Sequence, residues 1–262
     1  MLIAGIRRAA AIATVCSVAL ILGACGGGDD SAPGNDKAAG RAHVDAMTRE
    51  HANDSTKASA GALIAPAKAV ISENMPYGEV GDELVYGYFV APADMFEPLP
   101  AVIMIHEWWG LNDNIRATAD RLAAEGYIVL AVDLFGGKVA TNPAEARQFM
   151  LSVVEDPESA NANIRSAYDF VSNTAGAPRV GSIGWCFGGA WSLNAALLFP
   201  DAMAATVIYY GQVTDDEDEL RPVNSPILGL FGAEDKGIRV GAVRNFEGAL
   251  SRLRKDYEIH VY

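Results

Sequence analysis

The chain has 262 residues and three cysteines, and its 33 acidic against 20 basic residues give a formal charge of −13. So acidic a surface argues against nucleic acid and anionic lipid headgroups as partners. With so few thiols, each one has to be accounted for separately.

Residues 1–24 read as a lipoprotein signal peptide: Arg7 and Arg8 start it, and residues 9–22 form an apolar run too short for a comfortable membrane span. It ends in Leu22-Gly23-Ala24-Cys25, which has the form of a bacterial lipobox, with Cys25 as the lipid attachment site. Cleavage there removes two arginines and no acidic residue, so −13 becomes −15. The expected location is the bacterial cell envelope, lipid-anchored and facing the periplasm or exterior. Residues 25–66 read as a flexible tether, because Gly26-Gly27-Gly28-Asp29-Asp30-Ser31 cannot bury enough apolar surface to order itself. The stretch allows a short helix around residues 42–51, where His43 and His51 have no other ligand types beside them and are expected to be solvated.

Residues 67–262 alternate short apolar runs with helical stretches, the pattern of one α/β domain with a mostly parallel sheet covered on both faces. Strands are expected at 84–90, 101–105 and 127–132, with a helix at 112–125 that Gly126 stops. Helices at 143–153 and 159–172 follow, then a strand at 179–184 and a helix from Ala190. Two more strands at 204–210 and 226–231, a helix at 240–254 and a strand at 257–262 complete the pattern. That last strand stops without turn or closing helix, as though the sequence were cut inside its domain.

Gly184-Trp185-Cys186-Phe187-Gly188-Gly189 places one thiol between glycines at a strand-to-helix corner, a nucleophile elbow with cysteine in place of serine. The glycines leave room beside a strained turn, and the helix start is expected to favour thiolate over thiol. Cys16 leaves with the signal and Cys25 carries lipid, so Cys186 is the one free thiol of the mature chain, in a compartment where thiols usually pair. The loop His106-Glu107-Trp108-Trp109-Gly110 sits where oxyanion donors belong, so the N–H groups of Trp108 and Phe187 are expected to converge on the developing charge, each worth about 2.7–4 kcal/mol. Asp235, after the strand at 226–231, is the expected orienting acid, with Glu234 pointing elsewhere. Asp133 precedes the nucleophile and is given a turn role, and the acidic run 215–219 is taken as a solvated loop. His260 lies within the last strand, whereas a triad histidine needs the loop beyond it, so the base is expected past Tyr262; His106 is expected to shape the cleft.

Together these motifs, with Val132-Asp133-Leu134-Phe135-Gly136-Gly137, Tyr209-Tyr210-Gly211 and Gly232-Ala233-Glu234-Asp235, resemble the dienelactone hydrolase family of α/β-hydrolases, from about Tyr77 onward. The resemblance implies a Cys-Asp-His triad containing Cys186 and Asp235, with Glu107 holding the resting thiol until substrate displaces it. It places the family's histidine, and an arginine that grips the lactone carboxylate, after the last strand, and suggests Arg147 as a second carboxylate contact. The implied substrate is a small carboxylic ester or enol-lactone, with no metal and no organic cofactor. A non-catalytic binding lipoprotein of the same fold is the alternative; a thiol-redox role lacks a second, resolving cysteine.

Overall fold

The computed structural model describes residues 37–57 and 60–262, so the expected signal peptide and Cys25 lie outside the described residues. Helix α1 (Lys37–Glu50) precedes a long hairpin of β1 (Val70–Val80) and β2 (Glu83–Pro92). Strands and helices then alternate: β3 (Ala101–Ile105), α2 (Asp113–Ala124), β4 (Ile128–Val132), α3 (Pro143–Glu155), α4 (Pro157–Asp169) and β5 (Val180–Trp185). After these come α5 (Phe187–Leu198), β6 (Met203–Tyr209), α6 (Glu217–Leu220), β7 (Ile227–Phe231), α7 (Val240–Arg252) and β8 (Tyr257–Val261).

The eight strands form one sheet in the order β1-β2-β4-β3-β5-β6-β7-β8. Only the pairs that involve β2 are antiparallel. β3 and β4 are apolar along their whole length because both their faces are covered. On one side α2 packs Ile115, Ala119 and Ala123 against Met104 and Val129. On the other, Ile164 and Ala167 of α4 and Ala195 of α5 meet Ile103, Ile105 and Leu130. The helix starts follow local chemistry: Asn112, Asn142 and Asp156 each accept a backbone N–H from the first turn, and Pro143 and Pro157 open α3 and α4.

Three differences from the sequence reading have physical causes. β1 was not expected, since Ser72, Glu73, Asn74, Pro76 and Gly78 give no apolar alternation; as an edge strand it is mostly exposed, and it pairs through a two-residue turn in which Gly81 takes φ +61°. The acidic run is not all loop: Asp216 caps the short α6, and Leu220 anchors it in the core. The tether reading fails for residues 37–50, which form α1, because Val44 and Met47 are buried on the domain at 1% and 4% exposure. A Cβ on Gly40 would lie 2.8 Å from Val154 Cγ1, so glycine also lets α1 come close to α3.

β4 and β5 flank β3 on opposite sides, so the chain reverses its direction of progress across the sheet there. At such a switch point the loops leaving adjacent strands diverge and leave a crevice at the carboxyl ends. Those loops here begin at His106 and Cys186, and Ile105 is in register with Gly184.

Candidate active site

Cys186 stands alone between β5 and α5 with φ 57° and ψ −119°, a conformation that costs an L side chain about 1–3 kcal/mol. Its neighbours hold it there. Its N–H donates to the Tyr209 carbonyl at 2.9 Å. A Cβ on Gly184 would lie 1.9 Å from the Gly188 carbonyl oxygen, and one on Gly188 would lie 2.2 Å from that of Ile105. The corner is therefore wedged between the ends of β3 and β6, and only glycine fits beside it.

The backbone N–H groups of Phe187 and Trp108 favour a charge on the Cys186 sulfur, while Glu107 and Asp235 bring negative charge towards it. Burial, and after it Glu107, push the thiol up to about 12. This corrects the expectation that the helix start favours thiolate. A helix dipole contributes roughly 0.3–1 kcal/mol, less than one pKa unit, and cannot offset desolvation of a sulfur anion. The resting group is a neutral thiol.

The loop after β3 is fastened by His106, which is fully buried. Its Nδ1 donates to the Glu107 carbonyl at 2.6 Å and its Nε2 accepts the Leu134 N–H at 3.1 Å. One neutral tautomer satisfies both bonds, and burial pushes the pKa down, so His106 is a clip between two loops. Its ring stacks on Phe187, centroids 5.8 Å apart, which ties the two amide donors together. The Glu107 side chain accepts from the Tyr210 hydroxyl at 3.4 Å, and burial raises its pKa. Tyr210 has φ +36°, a second strained residue at the same edge.

Asp235 follows β7, and its Oδ1 accepts the N–H groups of Gly237 and Ile238 at 2.8 Å each. Its charge reaches both Cys186 and His43, whereas Glu234 is exposed. Asp133 caps its own turn through the N–H groups of Phe135 and Gly137. His260 bonds Glu258 on its own strand at 2.7 Å and stacks on Tyr262. Arg147 is committed to α1: two of its nitrogens bond Asp45 Oδ1 at 2.9 and 2.6 Å.

The residues that sequence reasoning missed all come from α1 and the turn after it. Met47 Sδ lies 4.0 Å from Cys186 Sγ, and Val44 and Met47 join Trp108 and Phe187 in one apolar cluster. His43 is not solvated as expected, whereas His51 keeps more than a third of its side chain exposed. Burial lowers the His43 pKa against the pull of Asp235, and the His51 ring lies 5.7 Å from that of Trp108. Their sequence signal was the spacing of Val44, Met47 and His51 along one helical face. A cleft of about 380 Å³ opens from Phe187 beside α1, bordered by His43, Val44, Trp191, Val213 and Glu219. A larger cleft, about 520 Å³, lies under the β1–β2 hairpin and touches none of Glu107, Trp108, Cys186 or Asp235.

A mostly parallel sheet covered on both faces, with a strained residue at a strand-to-helix corner of its switch point, defines an α/β-hydrolase. The Dienelactone hydrolase family is matched over residues 85–262, and the chain belongs to that family. It is 30% identical to a provisionally named carboxymethylenebutenolidase of Saccharolobus solfataricus, over 63% of this chain and 77% of the relative. A protein of the same provisional name from Escherichia coli K12 is also 30% identical, over 75% of this chain and 77% of its own. Among solved structures, m3DLH superposes with a TM-score of 0.67 at 27% identity, covering 74% of this chain and 82% of its own. Helix α1 lies outside the matched residues.

Proposed function

We propose that this protein hydrolyses small carboxylic esters or enol-lactones with Cys186 as nucleophile. The observation that carries the reading is the strained Cys186 corner wedged between glycines, with the Phe187 and Trp108 amides favouring a charge on its sulfur and Glu107 beside it. Since the thiol rests neutral, it must lose its proton before attack, and Glu107 is the neighbouring acceptor. The S–H bond breaks as the carboxylate O–H forms, and the thiolate adds to the substrate carbonyl carbon. The oxygen takes the negative charge between the Trp108 and Phe187 amides, where the sulfur had been. Collapse of that intermediate breaks the C–O bond to the alkoxide or enolate, which leaves with a proton. Water then cleaves the thioester to the acid and restores the thiol. The resemblance to the family implies a histidine oriented by Asp235 as the shuttle that gives the leaving group its proton and takes one from the attacking water. We further propose, on the sequence Leu22-Gly23-Ala24-Cys25, that Cys25 carries a lipid anchor.

The test is mass spectrometry of acid-quenched full-length protein during turnover of 4-nitrophenyl acetate. An acetyl group on the Cys186 peptide, and its loss together with turnover in Cys186→Ala, is the expected result. Undiminished hydrolysis by Cys186→Ala eliminates the mechanism.

A further inference from the structure

The cleft of about 380 Å³ is bounded by two helices that meet at the thiol. On α5 it is lined by Phe187, Ala190, Trp191, Asn194 and Leu197, which follow one face of that helix from its first residue onward. On α1 it is lined by Ala39, Gly40, His43 and Val44, one and two turns before Met47, whose Sδ lies 4.0 Å from Cys186 Sγ. The two helices therefore run in opposite directions along the cleft, and both have the sulfur at one end. Helix α1 rests on α3, where Gly40 meets Val154 and Asp45 holds Arg147, and this leaves the space towards α5 open. At 1.5 Å per residue, the groove runs about 12–15 Å away from the thiol.

The far end of this groove is acidic. Leu220 packs with Leu193 and Leu197 there, and beside it Glu219 joins Asp215 and Asp216 in the lining. Glu217 and Asp218 turn away from the groove and pair with Arg252 and Arg221. Glu219 Oε2 is buried with no hydrogen-bond partner among the described residues, and burial raises the pKa of its carboxyl. An acceptor left so is costly unless a ligand brings it a donor. Among the described residues no lysine or arginine lines the cleft. Arg147, the suggested carboxylate contact, is spent on Asp45.

We propose that the groove between α1 and α5 holds the acyl group of the substrate, and that it selects a medium-chain acyl group ending in an ammonium over one ending in a carboxylate. The proposal rests on the hydrolase reading above and names the substrate class for it. The apolar stem of such a group lies along Trp191, Leu197 and Val213, with its carbonyl at the Cys186 corner. Its ammonium reaches Glu219 and gives Oε2 the donor it lacks, while Asp215 and Asp216 add attraction. A terminal carboxylate meets three acids and no cation in the same place. Because α1 lies outside the family-matched residues, one wall of this groove belongs to the amino-terminal segment.

The test uses the full-length protein and the 4-nitrophenyl esters of 8-aminooctanoate, nonanoate and azelate, whose acyl groups differ only in ending with ammonium, methyl or carboxylate. At low salt, kcat/KM should favour the ammonium over the methyl ester about tenfold, and the methyl over the carboxylate by about as much. Glu219→Gln should cut the ammonium-to-methyl ratio at least threefold, by roughly the share of one of three nearby charges. Leu197→Trp, which fills the far end, should lower nonanoate relative to acetate about tenfold. A parent that does not discriminate, or that hydrolyses acetate and none of the longer esters, overturns the proposal. So does a parental ratio in Glu219→Gln, which would assign the preference to the overall charge of the protein, or a parental nonanoate-to-acetate ratio in Leu197→Trp. If the parent hydrolyses no ester, acetate included, the hydrolase reading fails. Titration of the tryptophan fluorescence with octylammonium and with octanoate then decides the groove: tighter octylammonium that weakens in Glu219→Gln supports it, and equal affinities overturn it.

Discussion

The corner that carries Cys186 and the helix that covers it meet at one sulfur, yet they are held by different physics. The corner is fixed by backbone: the β3–β5 ladder, the Cys186 N–H on Tyr209 and glycines with carbonyls where a side chain would be. Nothing there can yield without disturbing two strands. Helix α1 is fixed by side chains. Val44 and Met47 bury apolar surface at about 1.5–3 kcal/mol each, and the ion pairs Arg41–Glu155 and Asp45–Arg147 lie half-exposed on either side. A few kcal/mol separates α1 docked from α1 released, whereas the corner unfolds only with the domain. The difference teaches that the proposed chemistry has been set on the rigid part and access to it on the adjustable part.

The largest expected effect tests the rigid side by chemistry alone. Asp235→Asn should lower kcat by about 10²–10⁴-fold with the fold unchanged by circular dichroism, as a base left misoriented would; activity within tenfold of the parent removes Asp235 from the mechanism. Next comes the frame itself. Gly188→Ala must push the Ile105 and His106 carbonyls aside and should cost about 3 kcal/mol in urea unfolding. A cost below half a kcal/mol would show that the corner adjusts after all.

On the adjustable side, Met47→Ala should loosen α1 and leave the core alone. Alkylation of Cys186 is expected about ten- to hundredfold faster, with early hydrogen exchange confined to residues 37–50. Loss of protection throughout the sheet would merge the two regions into one cooperative unit. A smaller effect is expected from Glu107→Gln, and its sign depends on pH. Burial holds the Glu107 carboxyl above its ordinary value, so ionisation penalises the folded state. The penalty is absent below the unfolded carboxylate range and complete once pH exceeds the raised value. Glu107→Gln should therefore melt about 2–4 °C higher than the parent at pH 8, with the gap closing near pH 4. Smallest of all, Arg41→Ala should leave the urea midpoint within measurement error, since its partner Glu155 is equally exposed to solvent.

The contrast also explains what could be read from the residues alone. β3 and β4 were legible because strands covered on both faces must be apolar throughout. The corner was legible because a strained turn leaves few choices besides glycine. β1 was not, since an edge strand has no such demand and its polar residues look like a loop. Helix α1 showed only Val44 and Met47 as apolar anchors, too short a stripe to reveal that Met47 lies against a residue 139 positions away. The state of the Cys186 thiol was misread because the helix start is visible in sequence, while the burial that outweighs it comes from Glu107, Trp108 and Met47 converging in space.

The pairing of Ile105 with Gly184 has a practical consequence. That single rung sets where both loops leave the sheet, and the buried His106 ring carries the setting on to the amides of Trp108 and Phe187. Walls around that jig can be exchanged without recalibrating it. Grafting a different amino-terminal helix, or a different loop after Tyr210, should retune which acyl groups are admitted while the tool that cuts them keeps its setting.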